Sequence, residues 1–480
     1  MGEDDMKTTL AQFGRFISDK KIAVIGAGIS NRPLIRWLYP KNNDITVFDM
    51  MRNDDERLLK IQRDFKNDGI DLYWSTGEHY LDYLERFDLI FRTPRMRTDL
   101  PELVRERNRG AVVTSEIALF MELCPAPLYG VTGSDGKTTT TTLISLILQE
   151  AGYSVHTGGN IGTPLLDRIE RIRPTDRVVL ELSSFQLMDS LPVVNHAVIT
   201  NIIPNHLDFH LDYDEYIDAK KNIFRSQGVM DTLTLNANDK VSSSFIGEAC
   251  GRTRFFNSKD AGNDATAWRD KGMLCLRRSP RSTPEAIIAE EDVLLPGSFN
   301  LDNLMAAAVT TADDVPLDAV RSIAQTFKGV AHRMELVREH KGIRWYNSSV
   351  DSSPSRTMKT LAAFRERDER PVLIAGGQDK DSDYTGLGAA IASTTSNIIL
   401  TGQNADLIEN IILKEACSVD VNPEDLTLLR VDNYEQAVEK ALALVVSGGS
   451  VLLSPAGTSY DKFHHFEERG EYFRQLVHAL

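Results

Sequence analysis

The sequence predicts an α/β protein of three domains built on mainly parallel sheets. Two observations carry this expectation. Short apolar runs alternate with helix-period stretches and turn residues along the whole chain, the pattern of strand–helix–strand units. The 480 residues also exceed what one hydrophobic core holds, because domains run to roughly 100–200 residues each.

The first unit is a strand over 21–25, the turn Gly26-Ala27-Gly28 and a helix pattern over 33–38. A second strand over 45–48 ends at Asp49, and further strands are expected over 89–91 and 111–113. Cys124-Pro125-Ala126-Pro127 reads as a linker, after which a new strand–loop–helix runs over 128–149. Strands over 178–180 and 197–200 follow, and the polar stretch 257–290 reads as strands and loops decorating this second block. His332-Arg333, just past a Gly329 turn, opens a last block with strands expected over 343–346, 372–375, 397–400, 426–430 and 451–453.

Composition narrows the class. Hydrophobic residues at 42% and charged residues at 26% are ordinary for a soluble globular protein. A formal net charge of -15 argues against a broad nucleic-acid or membrane footprint, which needs a basic face. An anionic ligand must then be held by local cations and backbone N–H groups. The four cysteines, Cys124, Cys250, Cys275 and Cys417, are far apart and form no CxxC pair, so neither a zinc site nor a disulfide framework is expected. The acidic start MGEDDMKTTL lacks the basic-then-apolar run of a secretory signal, and no stretch approaches the ~20 apolar residues of a membrane span. A cytoplasmic protein is the expectation.

The sharpest motif is Gly130-Val131-Thr132-Gly133-Ser134-Asp135-Gly136-Lys137-Thr138-Thr139, which follows a strand and opens a helix. Successive backbone N–H groups of such a turn can face phosphate oxygens, and the helix dipole favours the negative charge. Lys137 can bridge the β- and γ-phosphates and the Thr138 hydroxyl can ligate Mg²⁺. The strict pattern would place glycine at 131, which is Val131; the glycines fall at 130, 133 and 136 instead.

A nucleotide site also needs a carboxylate for Mg²⁺. Glu181 ends the apolar run Val178-Val179-Leu180, at the carboxyl end of a strand, where open α/β sheets bind ligands. Ser183 follows it. The next strand runs into Asn205-His206-Leu207-Asp208, whose His206 and Asp208 are candidates for the same region. Asn160, in Gly158-Gly159-Asn160-Ile161-Gly162, either faces the reacting carboxylate or supports a turn of positive φ.

Taken in order, these motifs resemble the Mur ligase family. The resemblance continues through Gly297-Ser298-Phe299-Asn300-Leu301-Asp302-Asn303, His332-Arg333-Met334-Glu335 and Gly376-Gly377-Gln378-Asp379-Lys380. It ends on Ser454-Pro455-Ala456-Gly457-Thr458-Ser459-Tyr460-Asp461 and Phe466-Glu467-Glu468-Arg469-Gly470, which are similar to the D-glutamate-adding branch. The Asp-Asn-Pro-Arg motif of the diaminopimelate- or lysine-adding branch is missing.

The resemblance implies three domains: a Rossmann-like domain over 1–124 for a UDP-sugar, a central P-loop-type ATPase over 125–331, and a Rossmann-like domain over 332–480. It implies ATP-dependent ligation of D-glutamate to UDP-N-acetylmuramoyl-L-alanine through an acyl phosphate, by a monomer. ATP would meet Gly133, Ser134, Asp135, Gly136, Lys137, Thr138, Thr139, Asn303, Arg333 and Ser348. Two Mg²⁺ ions would meet Thr138, Glu181, His206 and a carbamylated Lys220. Lys137, His206, Lys220 and Asn160 would be catalytic. The UDP-substrate would meet Ser30, Asn31, Asp49, Thr93, Pro94 and Ser183, and D-glutamate would meet Lys380, Ser459, Tyr460 and Phe466. On helical geometry only one of the neighbours Lys220 and Lys221 can face the site.

Three places depart from the family pattern. Asn347-Ser348-Ser349 stands where Asn-Asp-Ser is usual, which implies weaker ATP binding or a stand-in role for Asp351. Thr93-Pro94-Arg95 stands for Ser-Pro-Gly, and Asp135 stands where Asn is common, its side chain expected to turn away from phosphate. The run Gly26-Ala27-Gly28-Ile29-Ser30-Asn31 lacks the third glycine of a dinucleotide fingerprint, which favours a UDP ligand over NAD. Rival readings at this stage are a ligase adding another amino acid, a folylpolyglutamate-type ligase, and a nucleotide-binding module without ligase activity.

Overall fold

In the computed structural model the strands gather into three sheets. The structure describes residues 8–480 apart from Asp189, Pro296 and Asp381, so the acidic Glu3, Asp4 and Asp5 lie outside the described residues.

The first sheet holds β1 (Ile22–Ile25), β2 (Ile45–Asp49), β3 (Tyr73–Thr76), β4 (Leu89–Phe91) and β5 (Val112–Thr114), in the order β3-β2-β1-β4-β5. Every pairing is parallel. β1 is buried along its length, which is why it reads as a continuous apolar run and not as an alternation. The order reverses between β1 and β4, so their carboxyl ends open a crevice. Gly26-Ala27-Gly28 and Thr93-Pro94 sit there.

The second sheet holds β6 (Leu128–Thr132), β7 (Val155–Gly159), β8 (Arg177–Glu181), β9 (His196–Ile199), β10 (Thr232–Asn236), β11 (Arg252–Phe256), β12 (Thr266–Asp270), β13 (Met273–Arg277) and β14 (Glu285–Ala289). Its order is β14-β13-β12-β11-β10-β9-β6-β8-β7. Pairings from β7 to β12 are parallel, and β12–β13 is an antiparallel hairpin. β6 has β8 on one side and β9 on the other, so the phosphate-loop motif leaves the sheet at its reversal point.

The third sheet holds β15 (Glu335–His340), β16 (Ile343–Asn347), β17 (Val372–Ala375), β18 (Asn397–Leu400), β19 (Thr427–Arg430) and β20 (Ser450–Leu453), in the order β15-β16-β20-β17-β18-β19. Only the edge pair β15–β16 is antiparallel.

The chain forms two compact units. One runs to Ile287 and takes in Asn303–Arg321; the other comprises Ile288–Asp302 and Ser322–Leu480. The first contains two sheets because one apolar core is continuous through both, from Phe13, Val24 and Phe120 to Leu166, Leu180 and Ile199. Cys124 and Ala126, expected in a linker, are buried in that core, so the segment is a packed connection.

Glu116 opens the helix Glu116–Leu123 that leads into this connection. It is buried, its Oε1 has no hydrogen-bond partner, and burial pushes its carboxyl up to about 7. The native state therefore holds a proton that the unfolded chain releases near pH 4.5. The stability gained from that proton is full below pH 4.5 and lost as pH rises through about 7. Glu116→Gln should flatten the stability profile across that window, recovering up to about 3 kcal/mol above it. Urea denaturation at a series of pH values measures this, and an unchanged pH slope would contradict it.

Candidate active site

β6 ends at Thr132, and the chain turns through Gly133 and Gly136 into the helix Lys137–Glu150. Gly133 has φ +146°, and a β-carbon there would collide with the Thr200 hydroxyl. Gly136 has φ +78°, and a β-carbon there would collide with the Asn303 side chain. Only glycine fits either place, and the loop's outer face is left to backbone N–H groups.

The loop is braced from behind. The buried Ser134 hydroxyl donates to the Ile203 carbonyl at 2.9 Å, accepts from Ile203 N at 2.9 Å and lies 2.8 Å from the Tyr216 hydroxyl. Asp135 is exposed; its N–H donates to Asn201 Oδ1 at 3.0 Å and its carbonyl accepts from Thr200 Oγ1 at 2.6 Å. Asn303 Oδ1 accepts from Thr140 Oγ1 at 3.1 Å, and Thr139 is buried in the first turn of the helix. Lys137 Nζ curls over the loop and donates to the carbonyls of Gly133 at 3.0 Å and Ser134 at 2.9 Å.

Glu181 is the last residue of β8, as the apolar run predicts. Its Oε2 accepts from Thr138 Oγ1 at 2.7 Å and its Oε1 from Asn160 Nδ2 at 2.9 Å. Asn160 N also donates to the Glu181 carbonyl at 2.7 Å. Three expected residues thus meet at one carboxylate beside the loop.

Lys220 is 2% exposed, with Nζ donating to the Gly133 carbonyl at 2.8 Å and Thr132 Oγ1 at 3.3 Å. Burial, reinforced by Lys137, holds its amine well below the usual lysine range. Lys221 points elsewhere, pairing with Glu248 at 2.6 Å over the Phe245 ring. The helix Tyr213–Lys221 therefore turns Lys220 to the loop. His206 adopts φ +55° and lies with its ring 5.0 Å from Phe185. Burial first, then the charge of Lys137, lowers its basicity, which suits a neutral imidazole that can ligate a metal.

These groups fit a nucleotide with magnesium. Among the described residues no cluster of three or more His, Cys, Asp or Glu forms a metal cage. Magnesium does not require one, since it takes one or two protein oxygens and completes its shell with phosphate and water.

In the first sheet's crevice, Asp49 Oδ2 accepts from Ala27 N at 2.8 Å and Oδ1 from Met51 N at 3.0 Å, so this carboxylate shapes the glycine turn. Asn31 Nδ2 donates to the carbonyls of Ile25 and Gly26, both at 2.9 Å. Ser30 precedes the helix Asn31–Leu38 and makes no side-chain cap. The side chain of Thr93 packs at Gly26, and the Thr93 and Pro94 carbonyls accept from the buried Arg92. Ser183 caps the helix Ser184–Leu187 in a reciprocal box with Gln186. The Arg95 guanidinium lies 5.4 Å from the Phe185 ring, part of the ring cluster around His206.

The second unit holds its own group of expected residues. Lys380 Nζ lies 4.6 Å from the Tyr460 ring, where paired hydrogen bonds between Gln378 and Thr458 join the ends of β17 and β20. Ser459 is buried beside Tyr460, which is exposed. The Phe466 ring stands edge-on to His332 at 6.5 Å, and His332 and Met334, at φ +61° and +44°, flank Arg333. Ser348 is 1% exposed, and its hydroxyl accepts from Met334 N at 3.3 Å. Asp351, the expected alternative to an acid at position 348, lies inside the unit. Its carboxylate is buried and accepts from Thr360 Oγ1 and Ser454 Oγ, both at 2.8 Å, and burial raises its pKa.

Comparison with known proteins adds the family. Residues 131–311 match the Mur ligase middle domain, and residues 332–457 match the glutamate ligase domain of Mur ligases. A UDP-N-acetylmuramoylalanine--D-glutamate ligase from Acetivibrio thermocellus is 44% identical over 475 residues, covering 99% of this chain and 100% of that protein. The chain belongs to the Mur ligase family. As a member it is an ATP-dependent ligase. A second relative of the same name, from Ruminiclostridium cellulolyticum, is 43% identical over the same shares of both chains. The fold is similar to that of UDP-N-acetylmuramate-alanine ligase from Thermotoga maritima, with a TM-score of 0.54 at 19% identity over 96% of this chain and 99% of that one. It is also similar to E. coli FolC, at 0.53 and 16% over 76% and 93%.

The sequence left Lys220 and Lys221 unresolved, and their surroundings separate them. Lys220→Ala should lower ligase turnover on the order of 100-fold. Lys221→Ala should leave turnover within about twofold, because only a partly exposed ion pair is lost. ATP-dependent phosphate release measures both, and the reverse ranking would show that the other lysine serves the site.

Proposed function

We propose that this Mur ligase joins D-glutamate to UDP-N-acetylmuramoyl-L-alanine, forming ADP and phosphate in peptidoglycan precursor synthesis. The observation that carries the substrate assignment is full-length identity of 40–44% to relatives of that one name, from several organisms.

The loop amides from Gly133 to Thr138 would cradle the ATP phosphates. Lys137 would leave the Gly133 and Ser134 carbonyls to meet the γ-phosphate. Thr138, Glu181 and His206 would hold Mg²⁺, which when bound supplies neutralising charge for phosphoryl transfer. The L-alanyl carboxylate attacks the γ-phosphorus; the O–P bond forms, the bond to ADP breaks, and an acyl phosphate results. The amine of D-glutamate then attacks the acyl carbon and loses a proton, and phosphate leaves with the C–O electron pair. Asn160 would help hold Glu181 in place through both steps. Arg333 would supply a cation for the phosphates, and Lys380 one for a D-glutamate carboxylate, beside Ser459, Tyr460 and Phe466.

The depressed basicity of Lys220 supports a further reading, since a neutral amine is the form that captures carbon dioxide as a carbamate. The carbamate would serve a second Mg²⁺. We take the three sheets to mark three domains, Rossmann-like, ATPase and Rossmann-like, in a cytoplasmic monomer that engages neither nucleic acid nor membrane. Among the described residues no helix is long and apolar enough to cross a membrane.

Phosphate release from ATP, with UDP-N-acetylmuramoyl-L-alanine and each amino acid offered in turn, tests the assignment. Release with D-glutamate alone is expected. Release with a different amino acid would reassign the ligase, and no release with any would remove the activity.

A further inference from the structure

A second set of polar side chains, built on the buried His210 and Ser184, lies near the phosphate loop. The His210 side chain is fully enclosed, with Nε2 2.9 Å from Ser184 Oγ and Nδ1 3.2 Å from Glu215 Oε2. A carboxylate only accepts, so Nδ1 carries the proton and Nε2 accepts from the Ser184 hydroxyl. Glu215 Oε2 also accepts from Leu211 N at 2.9 Å. Arg97 grips both Glu215 oxygens, at 2.9 and 3.1 Å. It donates further to the Phe209 carbonyl at 2.8 Å and to both oxygens of Asp99 at 2.8 and 2.9 Å.

The positions of these groups give the chain its meaning. Arg97 follows β4 in the segment that begins Thr93-Pro94-Arg95, at the first sheet's crevice. Glu215 lies in the first turn of the helix that ends with Lys220 and Lys221. His210 closes the loop that carries His206. Ser184 adjoins Ser183 and lies just beyond Glu181. The Phe185 ring ties these parts together, lying parallel to His210 at 5.7 Å and 5.0 Å from His206.

We infer that Arg97, Glu215 and His210 are positioning residues that fix the spacing between the crevice of the first sheet and the His206 and Lys220 side chains beside the phosphate loop. The inference rests on the proposed function, in which the substrate carboxylate must reach the γ-phosphate, together with the expectation that the UDP-substrate meets Ser30, Asn31, Asp49 and Thr93 at that crevice. A bidentate guanidinium–carboxylate pair resists rotation as well as separation. Glu215 shares one oxygen among Arg97, Leu211 and His210, so a shift of the crevice segment moves the loop and the helix together. Misplacement by about 1 Å can cost on the order of 100-fold in rate.

The test uses the full chain and its Arg97→Met, His210→Phe and doubly substituted forms. Phosphate release is measured with UDP-N-acetylmuramoyl-L-alanine varied, alongside ADP affinity. Each single substitution should lower kcat/KM for the UDP-substrate by roughly tenfold or more. ADP affinity should stay within about twofold, because the loop itself is intact. The double form should be no worse than the poorer single form by more than about twofold, since a chain broken once transmits nothing more. Effects that multiply, ADP affinity that falls with kcat/KM, or singles that match the unmodified chain would overturn the inference. Arg97→Lys, which keeps the charge without the fork, replaces Arg97→Met if that form does not fold. Turnover by the unmodified chain with unaffected variants sinks this inference alone. Absence of that turnover sinks the substrate assignment and this inference with it.

Discussion

A loop that must present bare N–H groups to phosphate cannot support itself with side chains on its own outer face. The structure solves this by holding the loop from behind. Thr200 and Asn303 stand where β-carbons on Gly133 and Gly136 would be, and Ser134 is pinned to Ile203 and Tyr216. Lys220 reaches the Gly133 carbonyl from the interior. These supports come from three separate stretches of chain, which ties the conformation of one short turn to the folding of the whole first unit.

Charge follows the same logic. The chain carries a formal net charge of -15, yet Lys137 and Lys220 both donate to the Gly133 carbonyl. Their proximity to His206 depresses its basicity further, after burial. Lys137 thus places a cation at the loop of an acidic protein, while burial and that cation together lower the basicity of Lys220. The buried Asp351 of the second unit is held differently: the Ser348, Ser454 and Thr360 hydroxyls surround it, and burial outweighs them to raise its pKa.

Much of this was legible in the sequence. Glu181 ends β8 because an apolar run that stops at an acid marks a strand leaving the core. The glycines at 133 and 136 fell where the motif put them. The resemblance named Lys220, but which of Lys220 and Lys221 turns to the loop was not legible from the residues themselves, because Glu248 and Phe245, which hold Lys221 away, lie in a distant segment. The segment from Cys124 to Pro127 looked like a linker because proline marks a turn, and proline says nothing about exposure. Spacing alone could not say that Ser348 and Asp351 are both buried in the second unit. Arg97 and Glu215 gave no signal, since a surface-like Arg and a helix-start Glu become a half-buried pair only after two sheets are packed.

The carboxylate of Glu181 is held by two neutral donors, one on each oxygen. On the proposed reading, for the Thr138 hydroxyl to change from donor to magnesium ligand only its proton would have to swing away, its oxygen staying where it is. That rotation belongs to the picosecond-to-nanosecond range, far faster than loop rearrangement. If this pocket takes magnesium as proposed, the rate would be set by the reluctance of the hydrated ion to shed water, since the protein's oxygens already lie in place.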